Sequence, residues 1–233
     1  MADYKLRIKY GQQILLDKLD LTSPCVKTLL AKDKFFTNNT IIEIYEDIPP
    51  YTQLQYIQSS GTQYLRIPEP WTHTMKAEFK FALNSTTSAE CYIFGLDIPP
   101  YPETGCISGQ FRANCGLGAS GFITFSQDTN PHIVTTSFNG GIIWDNIIKQ
   151  NGSTGSATID YGPSIFGATK SETTTSYLIS GKLWYMKIYN NNILIHDLIP
   201  CKTLQNEVCM YDNITNEFYK NLGTGNFIAG PEV

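Results

Sequence analysis

The stretch from Met75 to Leu83 constrains the fold of this chain more than any other. Met75, Ala77, Phe79, Phe81 and Leu83 alternate with Lys76, Glu78 and Lys80. A period of two places the apolar set on one face and the charged set on the other, so the segment reads as a strand in a sheet with one dry side and one wet side. Beyond residue 51, turn-forming residues recur roughly every eight to fifteen positions, with strand patterns between them. Segments 54–57, 63–67, 91–95, 121–126, 133–137, 141–148, 176–179, 183–189 and 193–198 read as further strands. Asn190, Asn191 and Asn192 tolerate left-handed turn conformations and predict a hairpin between 183–189 and 193–198. Many short strands without a helical crossover predict a mainly β fold with antiparallel sheets, arranged as a two-sheet jelly roll.

Composition supports a core and removes several function classes. Of 233 residues, 42% are hydrophobic and 16% charged, enough apolar material to bury and too little charge for a long solvated tail. The net charge of −4, with no basic run, argues against nucleic-acid binding. No segment approaches the roughly 20 apolar residues of a membrane span, so no membrane insertion is expected. Charges alternate with apolar residues through Met1–Tyr10, which does not read as a secretion signal. The six cysteines, Cys25, Cys91, Cys106, Cys115, Cys201 and Cys209, are therefore expected as reduced, mostly buried thiols. No Cys-x-x-Cys pair occurs, and His73, His132 and His196 stand far apart, so neither a metal site nor a cofactor is predicted.

Residues 1–48 read as a separate module. Tyr4, Leu6, Ile8 and Tyr10 alternate with Lys5, Arg7 and Lys9, giving a strand with one basic face. A second strand is predicted near 14–21 and a third at 40–45. Between them, Ser23 and Pro24 supply an N-cap and a first helical residue before Val26, Leu29 and Leu30 at helical spacing. This β-β-α-β module ends at Ile48-Pro49-Pro50, and 51–233 form the jelly-roll domain. So small a module has a thin core that gains from being covered. Its basic face, Lys5, Arg7 and Lys9, is the predicted assembly contact.

Two stretches carry a resemblance. The first is Tyr56-Ile57-Gln58-Ser59-Ser60-Gly61-Thr62-Gln63-Tyr64-Leu65. The second runs from Lys187-Ile188-Tyr189-Asn190 through Asp197-Leu198-Ile199-Pro200-Cys201-Lys202, Tyr211-Asp212 and Asn216-Glu217-Phe218-Tyr219 to Gly223-Thr224-Gly225-Asn226-Phe227. Together they resemble laminin G-like, concanavalin A-like jelly-roll modules of bacteriophage virion proteins. After Leu65 the family often continues Asp-Thr-Gly, whereas this chain has Arg66-Ile67-Pro68, so no ligand role is carried over from that Asp. The resemblance implies a non-enzymatic virion surface protein, a head fibre or capsid decoration, made in the host cytoplasm and displayed as a homo-oligomer. It implies other virion subunits as partners, or, for a tail-associated adhesin, host cell-surface glycan. Read without the family, the same residues specify strands and turns: an early strand at 63–67 beside late strands at 183–198 would close one sheet, with Gly61, Gly223 and Gly225 at turns.

Catalytic patterns are weak. Gly116 to Gly121 fits G-x-G-x-x-G but runs into the strand Phe122-Ile123-Thr124-Phe125, not a helix. Glu43 and Glu46 fall on opposite faces of an extended chain, and Asp145, Asp160 and Asp197 stand singly, so no glycosidase-like pair of acids is legible. No catalytic residue is predicted. Sugars stack on exposed rings, and Trp71 and Tyr101, beside Pro70 and Pro100, are the predicted glycan-binding candidates; Trp144 and Trp184, inside alternating strands, are expected in the core.

Overall fold

A computed structural model describes residues 4–10, 13–20, 40–46, 50–117, 121–152 and 158–233. The chain divides into two compact units, Met1–Pro50 and Tyr51–Val233. In the first, strands Tyr4–Tyr10, Gln13–Asp20 and Thr40–Glu46 form an antiparallel sheet with Tyr4–Tyr10 in the centre. Its register sets Lys5 across from Asp20 and Arg7 across from Glu43. The helix expected after Ser23 and Pro24 lies outside the described residues.

The second unit is a β-sandwich of antiparallel sheets. The larger sheet runs, strand beside strand, through Ile147–Gln150, Gly141–Trp144, His132–Ser137, Met75–Leu83, Ser180–Asn190, Ile193–Thr203, Val208–Asp212 and Glu217–Tyr219. The smaller one runs through Ile123–Ser126, Gln110–Cys115, Pro102–Ile107, Cys91–Gly95, Ser164–Ile165 and Leu65–Arg66. Among the described residues there is no α-helix. Met75–Leu83 keeps its alternation, with Phe79 and Phe81 fully buried and Lys76, Glu78 and Lys80 on the wet face. Phe79 meets Phe94 of the smaller sheet at 5.6 Å and Phe81 meets Phe111 at 5.9 Å, so the core lies between the sheets. Burying each such ring stabilises the fold by roughly 1.5–3 kcal/mol.

Three two-residue hairpins carry paired left-handed residues: Asn191 and Asn192, Asp145 and Asn146, Ser108 and Gly109. Their positive φ values match the twist of the flanking strands. The first is the predicted Asn hairpin. The second splits the expected 141–148 strand into two, and the third joins Pro102–Ile107 to Gln110–Cys115, strands that the sequence pattern did not reveal.

The structure corrects three placements. Domain closure is made by Ile57–Ser60 pairing with Ser180–Leu183, whereas Leu65–Arg66 crosses to the smaller sheet and pairs with Ser164–Ile165. Trp71 is 3% exposed: its two-residue strand pairs with Thr158–Ile159, and the ring packs at 5.3 Å on Phe94 in the core. A Pro-flanked ring is turned inward here because its strand belongs to a covering sheet, so Trp71 cannot stack on a glycan. Trp144 is in the core as expected, but Trp184 is not. The register slips between Leu183 and Tyr185, and such an extra residue shifts the parity of the strand. Leu183, Met186 and Ile188 point inward, while Trp184 and Tyr185 both lie half-buried on the outer side.

Candidate functional site

The two signature stretches interlock. Gln63 accepts the Ser60 N–H at 2.8 Å through its side-chain oxygen and donates through its amide nitrogen to the Thr224 carbonyl at 3.1 Å. Thr62 donates its hydroxyl to that same carbonyl at 3.0 Å, and the Thr224 N–H returns to the Thr62 carbonyl at 2.9 Å. Asn221 accepts the Tyr64 N–H and donates to the Gly225 carbonyl. A Cβ on Gly223 would sit 2.1 Å from the Thr62 oxygen, so the close approach of the two ends requires glycine there.

Two histidines are each held between two carboxylates. His196 Nδ1 lies 2.7 Å from Asp212 and Nε2 lies 2.9 Å from Glu69. Asp212 is fully buried and also accepts the N–H groups of Asp197 and Ile214 and the Thr215 hydroxyl. Burial opposes its charge, but these hydrogen bonds outweigh burial and hold the carboxyl below its ordinary value. His132 lies 2.7 Å from Asp145 and 2.8 Å from Asp128. Each ring nitrogen is engaged, so neither imidazole is free for acid–base work on a ligand.

Sequence reasoning missed a third cluster. Glu103 is 1% exposed on the outer side of the smaller sheet, with Arg112 Nη2 3.9 Å away and Arg112 Nη1 2.9 Å from Glu90. Tyr92 donates its hydroxyl to Glu90 at 2.6 Å, and the Arg112 guanidinium lies 3.4 Å from the centre of the Phe122 ring. Burial pushes the Glu103 carboxyl up to about 8, only partly offset by the Tyr92 hydroxyl and the Arg112 charge. Glu90 and Glu103 are the pair of acids that linear spacing hid, but with Glu103 sealed from solvent the pair cannot reach a sugar.

A polar cleft of about 360 Å³ lies at one end of the larger sheet, lined in part by His73, Thr74, Lys76, Ser137, Asn139 and Asn191. Thr72 and Thr74 hydroxyls lie 2.9 Å apart, and Thr74 donates to the Asn190 side chain at 2.7 Å. His73 Nδ1 is buried without a hydrogen-bond partner among the described residues. Clustered amide, hydroxyl and imidazole groups suit the hydroxyls of a saccharide. Of the predicted stacking residues, Tyr101 is half-buried, with φ of 63° and its ring 6.0 Å from Phe122. It does not line this cleft. Cys91, Cys106, Cys115, Cys201 and Cys209 are buried free thiols, and Cys201 faces Cys209 across adjacent strands with 3.5 Å between sulfurs. No known family model matches the chain, and no curated protein sequence matches it.

Proposed function

We propose that this chain is a non-enzymatic bacteriophage virion surface protein, a head fibre or capsid decoration, in which Tyr51–Val233 is a laminin G-like jelly roll displayed outward. Met1–Pro50 is then the module that binds other virion subunits, through Lys5, Arg7 and Lys9 against an acidic partner. The observation that carries this reading is the interlock of Thr62, Gln63 and Tyr64 with Asn221, Gly223 and Thr224. The residues behind the resemblance are used to close the domain, and the acids and imidazoles nearby are spent on one another. Side chains committed to closing the domain are what a display scaffold needs.

The second reading, a tail-associated adhesin for host glycan, is favoured by the polar cleft of His73, Thr74, Ser137, Asn139 and Asn191. Deleting the gene separates the two. Under the first, particles remain infectious with an altered capsid surface; under the second, adsorption is lost. Particles lacking the native protein should not take up a chain of residues 49–233, and decoration by that truncated chain would remove the assembly role from the first module.

A further inference from the structure

The outer face of the larger sheet carries a ladder of lysines and aromatic rings. Lys76 Nζ lies 4.2 Å from the centre of the Tyr189 ring, Lys187 lies 5.9 Å from Tyr185, Lys80 lies 5.3 Å from Trp184, and Lys182 lies 4.9 Å from Tyr56. The rings of Tyr56 and Trp184 are themselves 5.4 Å apart. All eight side chains are half-buried, as expected of a sheet face that meets solvent. The face is continuous because Lys76, Glu78 and Lys80 stand directly across from Tyr189, Lys187 and Tyr185, and Lys182 stands across from Gln58 on the next strand. It owes two adjacent rings to the slip at Trp184, since regular alternation would have turned one of Trp184 and Tyr185 into the core. From Lys182 to Tyr189 the strand climbs about 23 Å at a rise of about 3.3 Å per residue.

The charge on this face runs against the rest of the unit. Residues 51–233 contain ten Lys and Arg against fourteen Asp and Glu. Four of those ten cations are on the ladder, against Glu78, which accepts the Tyr185 hydroxyl at 3.2 Å, and Asp197, which faces Lys187. A cationic strip on an otherwise acidic surface is a local attractor for anions. Each lysine rests on a ring and can leave it at small cost at an exposed site, opening the ring to the C–H face of a sugar.

The geometry points to this face as a binding platform for an acidic polysaccharide, a chain of pyranose rings bearing carboxylate, sulfate or phosphate groups. The rings Tyr56, Trp184, Tyr185 and Tyr189 take the sugar faces, and Lys76, Lys80, Lys182 and Lys187 take the acidic groups. The inference rests on the second reading, that the domain recognises glycan, and places recognition on the sheet instead of in the cleft. Each contact is weak and partly screened at physiological salt. Useful retention therefore requires a polymer that spans the ladder or several copies of the protein on one particle.

The test uses the full chain against immobilised polygalacturonate, with neutral dextran, polyglutamate and single-stranded oligothymidylate as alternative ligands. Polygalacturonate should bind and weaken as salt rises, dextran should not bind, and polyglutamate and oligothymidylate should bind at least tenfold more weakly. Lys80→Gln with Lys182→Gln, and separately Trp184→Ala, should each reduce polygalacturonate binding tenfold or more, while Lys170→Gln, away from the face, should not. The double Lys→Gln variant removes charge without removing a packed ring, so it reads the ladder even where Trp184→Ala impairs folding. Equal binding of polyglutamate or oligothymidylate would overturn the sugar assignment. Binding that survives the ladder variants but is lost in His73→Gln would overturn the platform and leave glycan recognition standing in the cleft. No binding to any of the polysaccharides would overturn both.

Discussion

Glu103 offers a quantitative prediction. A carboxyl raised from its ordinary 4.5 to about 8 by burial binds its proton more tightly in the folded chain than in the unfolded one. Between those values the folded state holds more protons, so stability falls as pH rises, by about 1.4 kcal/mol per pH unit, and flattens above the folded value. From about pH 6 to about pH 8 the loss attributable to this one group is roughly 2 kcal/mol. For a domain of this size that corresponds to a melting temperature lower by about 4–8 °C. Glu103→Gln keeps the shape of the protonated acid and cannot ionise. The assay is calorimetric melting of native and Glu103→Gln protein at both pH values. Taking the difference between the two proteins removes the other titrating groups, which they share. The variant should already exceed the native protein at the lower pH, which lies above the ordinary carboxyl value, and its advantage should grow by that margin at the higher pH. An equal fall in both proteins would refute the buried, charge-excluding environment assigned to Glu103.

Further outcomes follow from the other sites. Trp71→Ala should cost about 3–5 kcal/mol, read by denaturant unfolding, because it empties a core position against Phe94; a loss under about 1 kcal/mol would return the ring to the surface. Asp212→Asn should destabilise near neutral pH by about 3 kcal/mol, since it breaks a buried charge network. Because the folded Asp212 carboxyl lies below its ordinary 3.8, its stabilising contribution is present above that value and lost as pH falls through the depressed one. Native and variant melting curves should therefore converge in acid, and parallel curves would count against this. Alkylation of unreduced native protein followed by mass spectrometry should label Cys91, Cys106, Cys115, Cys201 and Cys209 once the chain is unfolded; a Cys201–Cys209 bridge would contradict the free pair.

Some of this was decided by local sequence. Met75–Leu83 alternates without interruption, so period alone assigned its two faces, and the Asn191-Asn192 turn followed from residues for which a left-handed conformation is inexpensive. The five-residue strand Cys91–Gly95 was legible as an apolar run between turn residues. Tertiary structure decided what no local rule contains. One extra residue in the register at Trp184 reversed the parity of the strand, because a period-two argument fails beyond any bulge. A ring beside proline can face either way, and Trp71 turned inward because a strand from residues 158–159 pairs with its own. Glu103 and Arg112 lie on neighbouring strands joined by a Ser-Gly turn without a strong alternating pattern, and Glu103 is buried there. His196 gathers carboxylates from positions 69 and 212, and His132 gathers them from 128 and 145. Pairings of that kind depend on which strands become neighbours, which the packing of the whole sandwich determines and no window of sequence encodes.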